Sequence, residues 1–239
     1  MKTNAELKAE AKALLQNRWK ESILMCLIPT LLTILTVIAT FIIIGALLYF
    51  FFIFFQDYMH SLESSSYVST DNGGSSGSNA GGLISGLIAA FFTAGISWTF
   101  LDVYRGRIAT IRPFKDLVRG FRSPYALGIV VIYLLSVLFT FLWSLLLIIP
   151  GIIKSYAYSQ ANYIFYETYE NTGEVPRYLD TITASRQIMD GHKGQLFLLD
   201  LSFIGWHFLC WLTLGIGYIW LNPYIYATKS IFYANLPKE

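Results

Sequence analysis

The stretch SILMCLIPTLLTILTVIATFIIIGALLYFFFIFF, residues 22–55, runs for 34 positions without an Asp, Glu, Lys or Arg. A helix crossing the hydrocarbon core of a bilayer needs about 20 mostly apolar residues, range about 17–25. Residues 22–55 exceed that length but do not hold two crossings and a turn, so they predict one long helix. Tilt, a kink near Pro29, or projection beyond the bilayer at 49–55 takes up the excess. The stretch is not a cleavable signal peptide, being too long and lacking a small-residue site before the polar segment that follows.

Working outward, further apolar runs occupy 82–103, 125–149, 152–168, 195–212 and 218–234. The chain is 55% hydrophobic and 13% charged, against about 25% charged in soluble domains. Its charges gather in blocks between the apolar runs. The pattern predicts an all-α polytopic membrane protein, one membrane domain over 1–239. About six transmembrane helices form three hairpins, each preceded by a cytoplasmic amphipathic helix. Pro150-Gly151 and Gly215/Gly217 are turn signals. The runs at 152–168 and 218–234 are short and rich in Tyr, Asn and Ser. A re-entrant course is their alternative, provided non-helical backbone there is buried in protein or faces water. Residues 56–80 include Ser64-Ser65-Ser66 and Asp71 to Asn79, a Gly/Ser/Asn tract, and read as a flexible external loop.

Orientation follows from Lys and Arg near the span ends. Lys2, Lys8, Lys12, Arg18 and Lys20 precede the first span. Arg105, Arg107, Arg112, Lys115, Arg119 and Arg122 fall at 104–124, and Arg177, Arg186 and Lys193 at 169–194. The opposite loops carry none, Lys154 lying just inside one of them. Both termini and the basic segments are therefore expected in the cytoplasm of a multi-pass cell-membrane protein. Net charge is only +2, which gives no reason to expect a nucleic-acid partner. Cys26 and Cys210 lie inside apolar runs, so buried thiols rather than a disulfide framework are expected.

An internal repeat emerges from the segments before the odd spans. Ala13 to Lys20, Asp116 to Arg122 and Gln187 to Lys193 each give two apolar residues and one polar residue. Asn17, Gly120 or Gly191 follows, then basic and ring-bearing side chains. Asn and Gly tolerate the left-handed residue that ends a helix, and cations complement a helix C-terminus. The even spans match too: Gly95-Ile-Ser-Trp98 with Gly217-Tyr-Ile-Trp220, and Gly151, Tyr158, Ala161 with Gly217, Tyr224, Ala227. Three units are expected, with their interfacial helices apolar side down on the inner leaflet.

The segments Ile149-Pro150-Gly151-Ile-Ile-Lys154-Ser-Tyr156, Ser185-Arg186-Gln-Ile-Met189-Asp-Gly191-His192-Lys193 and Leu199-Asp200-Leu-Ser-Phe-Ile-Gly205-Trp206 carry a resemblance. So does Leu212-Thr-Leu-Gly215-Ile-Gly217-Tyr-Ile-Trp220-Leu-Asn-Pro223-Tyr224, ending in Phe232-Tyr233. Together the chain resembles a family of bacterial membrane proteins, common in Gram-positive species, catalogued as domain of unknown function 975. The resemblance implies topology and class; it brings no established activity and no functional residue.

Ionisable groups inside a bilayer are costly and are default functional candidates. Lys154, one turn beyond Pro150-Gly151, either snorkels to the outer interface or serves a pathway. Asp200 and His207 share a helix face but lie about 10 Å apart, too far for a direct hydrogen bond. Lys154, Tyr158 and Asn162 form one i, i+4, i+8 stripe. Tyr218, Asn222 and Tyr226 form another. Interhelical hydrogen bonding and a solute pathway are the alternatives for these stripes. Asn222-Pro223 is expected to break its span, a device of discontinuous transporter helices. Asp102 and Lys229 are placed at cytoplasmic ends, where an exposed salt bridge is worth little. Arg105, Arg107, Arg112, Lys115, Arg119 and Arg122 are candidates for contact with anionic inner-leaflet headgroups. No phosphate loop, dinucleotide fingerprint, zinc-protease motif or nucleophile elbow is found, so no cofactor, metal or catalytic residue is expected. The expected partners are the lipid bilayer and another membrane protein. A non-enzymatic scaffold or accessory component is the leading expectation. A small-solute or ion transporter, and a sensor of lipids or membrane-active peptides, are the alternatives.

Overall fold

The computed structural model describes residues 2–62, 78–122, 125–146, 148–213 and 215–237. Among them all regular structure is helical. Four helical stretches are long and apolar enough to cross a membrane: Trp19–Gln56, Gly86–Tyr104, Tyr125–Ser144 and Lys193–Leu212, the last interrupted at Ser202-Phe203.

Helix α1 (Asn4–Leu15) is opened by a capping box, in which Thr3 Oγ1 accepts from the Glu6 amide at 3.3 Å and the Thr3 amide donates to Glu6 at 2.7 Å. Leu7, Ala11 and Leu15 fall on one face at helical spacing and are fully buried, mainly against the last helix, α11 (Tyr218–Ala234). The apolar side of α1 therefore turns to protein, not to lipid as expected. Asn17, at φ +68°, reverses the chain into α2 (Trp19–Leu62).

At 44 residues, α2 is about 66 Å long. Pro29 lies inside it without interrupting it. Its first turns pack against α4 (Pro113–Leu117) and α11, whereas its large apolar side chains from Leu31 to Phe55, Ile34 apart, are exposed. Thr33 and Thr40 satisfy their hydroxyls on the preceding turn of the same helix, so these two groups need no partner outside it. Helix α2 and α3 (Ser78–Tyr104) take both ends of the segment read as the 56–80 loop; its middle lies outside the described residues.

Beyond α3 come α4 and a 3₁₀ turn, Val118–Phe121, then α5 (Tyr125–Leu146). Gly120 has no left-handed backbone, unlike Asn17 and Gly191. Its missing side chain serves contact instead: a Cβ there would lie 2.7 Å from the Phe91 carbonyl of α3. Helix α6 (Ile148–Tyr158) packs along α5 and holds Pro150-Gly151 in its first turn. Proline is tolerated there because its amide would be orphaned anyway, so the dipeptide lies inside a helix rather than forming a turn.

The run read as 152–168 is split at Ser159-Gln160 into α6 and α7 (Ala161–Thr172). That at 195–212 is split at Ser202-Phe203 into α9 (Lys193–Leu201) and α10 (Ile204–Leu212). Helix α11 runs unbroken through Asn222-Pro223, contrary to expectation. Helix α8 (Tyr178–Ile188) seats Ile182 and Ser185 in the bundle, Ser185 Oγ donating to the Ala157 carbonyl at 2.8 Å. The core lies between the second half of α3, α7 and α11, where Trp98, Phe165, Tyr166, Phe232 and Tyr233 are almost fully buried. Gly151 and Gly217 both sit where a Cβ would strike the preceding helix, while Ala161 and Ala227 are both fully buried. Trp98 and Trp220 are not alike, the first being buried and the second exposed.

Candidate functional site: a buried ion-pair network at the end of α3

Asp102 is the third residue from the end of α3 and is only 2% exposed. A buried carboxylate must be paired, and this one is. Arg119 Nη1 donates to its Oδ2 at 2.7 Å and Arg107 Nη1 lies 3.4 Å from Oδ1. Tyr166 of α7 donates its hydroxyl to Oδ2 at 2.6 Å. Arg119 also reaches the Tyr166 hydroxyl at 2.5 Å and Glu170 at 3.8 Å. Glu167 takes Arg105 as an ion-pair partner and accepts from the Tyr233 hydroxyl of α11 at 2.6 Å. Tyr125 of α5 donates to Glu170. The two clusters adjoin through the consecutive residues Tyr166 and Glu167 and together form a network that ties α3, the 3₁₀ turn, α5, α7 and α11. Burial pulls the Arg119 guanidinium down, but Tyr166 and Asp102 outweigh it and the net shift is upward. For Arg105 burial wins, and its affinity for a proton falls.

This corrects the reading of Asp102 as a screened surface group. Lys229 pairs elsewhere, with Asp200 at 2.9 Å. Tyr166, Glu167 and Glu170 were missed in the sequence. The available signal was a lone carboxylate inside an apolar helix end, with Arg105 and Arg107 just beyond it.

The intramembrane candidates are not brought to one place. Lys154 Nζ sits 4.4 Å from the centre of the Trp143 ring on α5. Tyr158 is buried beside Phe139, their rings 6.0 Å apart. Asn162 offers its carbonyl to Trp98 Nε1 at 3.0 Å, while its side-chain oxygen is buried without a protein partner. Asp200 accepts from Tyr156 at 3.2 Å in addition to Lys229. His207 Nδ1 is 3.3 Å from the Tyr218 hydroxyl. Asn222 Nδ2 donates to Thr30 Oγ1 of α2 at 2.7 Å, and Tyr226 is 3.5 Å from Thr93 Oγ1 of α3. Asp200 and His207 thus have separate partners.

The six basic candidates of 104–124 divide. Arg105, Arg107 and Arg119 pair with the buried carboxylates, Arg107 remaining exposed itself, whereas Arg112, Lys115 and Arg122 are exposed and have no carboxylate partner for their side chains among the described residues. Cys26 and Cys210 are both buried and unpaired with each other. Among the described residues no group of three or more His, Cys, Asp or Glu is placed to hold a metal ion.

No curated protein and no solved structure matches the chain. A family model does, over residues 1–154 and 145–239, and the chain belongs to that family, DUF975, described as a protein of unknown function.

Proposed function

We propose that this chain is a non-enzymatic scaffold or accessory protein of the cell membrane. It crosses the bilayer about six times as three hairpins, with termini and basic segments in the cytoplasm. The helices described above support four crossings by length and composition alone. The two further crossings are α6 with α7, and α11, which is 17 residues long and fits the lower end of the spanning range.

One observation carries the scaffold reading. The polar groups on the apolar helices are spent on each other in pairs: Asp200 with Lys229, Asn222 with Thr30, His207 with Tyr218. In lipid such pairs hold helices together at about 0.6 kcal/mol each. A pathway instead requires polar groups turned toward a common aqueous space. Solute or ion passage has one supporting feature, the buried side-chain oxygens of Gln160 and Asn162, which lack protein partners near the α6–α7 break.

Flux through purified protein in liposomes decides between them. The scaffold reading expects leakage equal to empty vesicles. Flux that disappears with Lys154→Ala or Asp200→Asn overturns it. Impermeant labelling of single cysteines placed at 112 and 122 tests the orientation, with reaction expected only after the membrane is opened.

A further inference from the structure

Ion pairs with Asp102 and Glu167 engage three of the six arginines and lysines of 104–124, namely Arg105, Arg107 and Arg119. Arg112 and Lys115 line a cleft of about 320 Å3, together with Thr110 and Arg119, the latter held from behind by Asp102. Asp116 is the one carboxylate in that lining, and its Oδ2 is occupied by the Arg112 amide at 2.8 Å. Arg122 closes the same short segment. Among the described residues the side chains of Arg112, Lys115 and Arg122 form no ion pair, so three cations outnumber the one carboxylate, Asp116, on this short segment.

Beside these cations the same segment exposes apolar side chains that a water-facing helix would not keep. Phe114 is 61% exposed, Val118 50% and Phe121 45%. Leu117 and Gly120, the alternate positions, are buried against the bundle. Phe121 also stacks on Phe91 at 4.5 Å and meets Phe92 at 5.4 Å. Both of those residues belong to α3 within the apolar window Gly86–Tyr104. The exposed apolar face of the 3₁₀ turn is thus continuous with a helix suited to lipid, and the cations border it. Rings at acyl depth beside cations at phosphate depth are the pattern of an interfacial lipid contact.

We propose that Arg112, Lys115 and Arg122 bind the headgroup phosphate of an anionic phospholipid whose acyl chains lie against Phe114, Val118 and Phe121. The site rests on the bilayer placement proposed above, but not on whether the bundle conducts. The split is its specific content. Arg112, Lys115 and Arg122 face lipid, while Arg105, Arg107 and Arg119 hold the fold.

The test uses the full chain purified in a non-ionic detergent. It is titrated with phosphatidylglycerol or phosphatidylcholine of identical acyl chains, and retained lipid is read by native mass spectrometry. Wild type is expected to prefer phosphatidylglycerol. Arg112→Gln/Lys115→Gln/Arg122→Gln is expected to lose about a hundredfold of that preference, at about fivefold per cation. Lys12→Gln/Arg177→Gln, which removes exposed cations elsewhere, is expected to keep it. Phe114→Ser is expected to weaken retention of both lipids.

Retention by the triple variant equal to wild type overturns the proposal, as does equal loss in the control variant. Full displacement by glycerol phosphate also overturns it, since the site would then take a free anion. If the triple variant fails to fold, wild type in high salt replaces it, and a preference that survives there is refuting. Co-flotation of every variant with liposomes reads membrane residence separately, so failure of the lipid site and failure of the membrane reading remain distinguishable.

Discussion

Arg119 Nη1 lies 2.7 Å from Asp102 Oδ2, which joins the 3₁₀ turn after α4 to the last turn of α3. The pair is closed on its far side by Tyr166, whose ring also stacks on Trp98 at 4.7 Å. Charge pairing and aromatic packing thus converge on one residue of α7. Because the carboxylate is almost out of reach of water, its partners cannot be replaced by solvent.

Asp102→Asn is therefore expected to destabilise the protein by about 3–5 kcal/mol, the usual loss when one partner of a buried pair is removed and the other stays charged. Arg112→Gln, on an exposed side chain of the same segment, is expected to change stability by less than about 0.5 kcal/mol. Thermal unfolding of both variants in one detergent measures the contrast. Equal midpoints would mean that the network contributes little.

The long helices were legible because backbone in lipid must satisfy itself, so apolar length alone marks them. The network was not, since Asp102 meets Arg119 and Tyr166 across 17 and 64 residues of sequence. Nothing local to any one of these residues names the others. The helix breaks at Ser159-Gln160 and Ser202-Phe203 were invisible for another reason: none of these residues is a strong helix breaker. Pro150 misled in the opposite direction, because proline marks a helix start as readily as a turn. The polar stripes were visible by spacing, but their partners on α2, α3 and α10 required the fold.

Gly95 of α3 sits under α4. A Cβ added there would lie 2.6 Å from the Leu117 carbonyl and 2.9 Å from that of Asp116. Both obstacles are backbone, so α4 must shift, and Gly95→Ala is expected to cost about 1–3 kcal/mol. Gly205 in α10 has open space around it. Gly205→Ala is expected to stabilise by about 0.5–1 kcal/mol through helix propensity and reduced chain entropy. Midpoints of thermal unfolding should move in opposite directions. A Gly95→Ala midpoint that does not fall would show that the approach of α4 to α3 is not tight.

Glu6 closes the capping box of α1, and its bonds to the Thr3 amide and side chain hold its carboxyl below the ordinary value. A carboxyl lowered in the folded state contributes stability above its unfolded value, near pH ~4.3, and loses it as pH falls through the folded value. The first turn of α1 is expected to fray below about pH 4. Amide exchange of residues 6–8, corrected for intrinsic rate, should lose protection there. Glu6→Gln keeps a side chain able to cap but not to titrate, and should flatten the pH dependence.

Asn222 and Thr30 supply the sharpest test of whether the stripe residues act as glue. Asn222 Nδ2 donates to Thr30 Oγ1 at 2.7 Å, and the Thr30 hydroxyl in turn donates to the Cys26 carbonyl at 2.6 Å. The pair links α11 to α2 near the point where α2 leaves the bundle. Asn222→Leu and Thr30→Val each remove one partner, and the double variant removes both. If the hydrogen bond is interhelical glue, the double-mutant cycle should give a coupling of about 0.5–1.5 kcal/mol, within the range such bonds reach in membranes. Additive losses would mean that each side chain is satisfied elsewhere. The polar face of α11 would then have no holding role, and the scaffold reading would lose its main support.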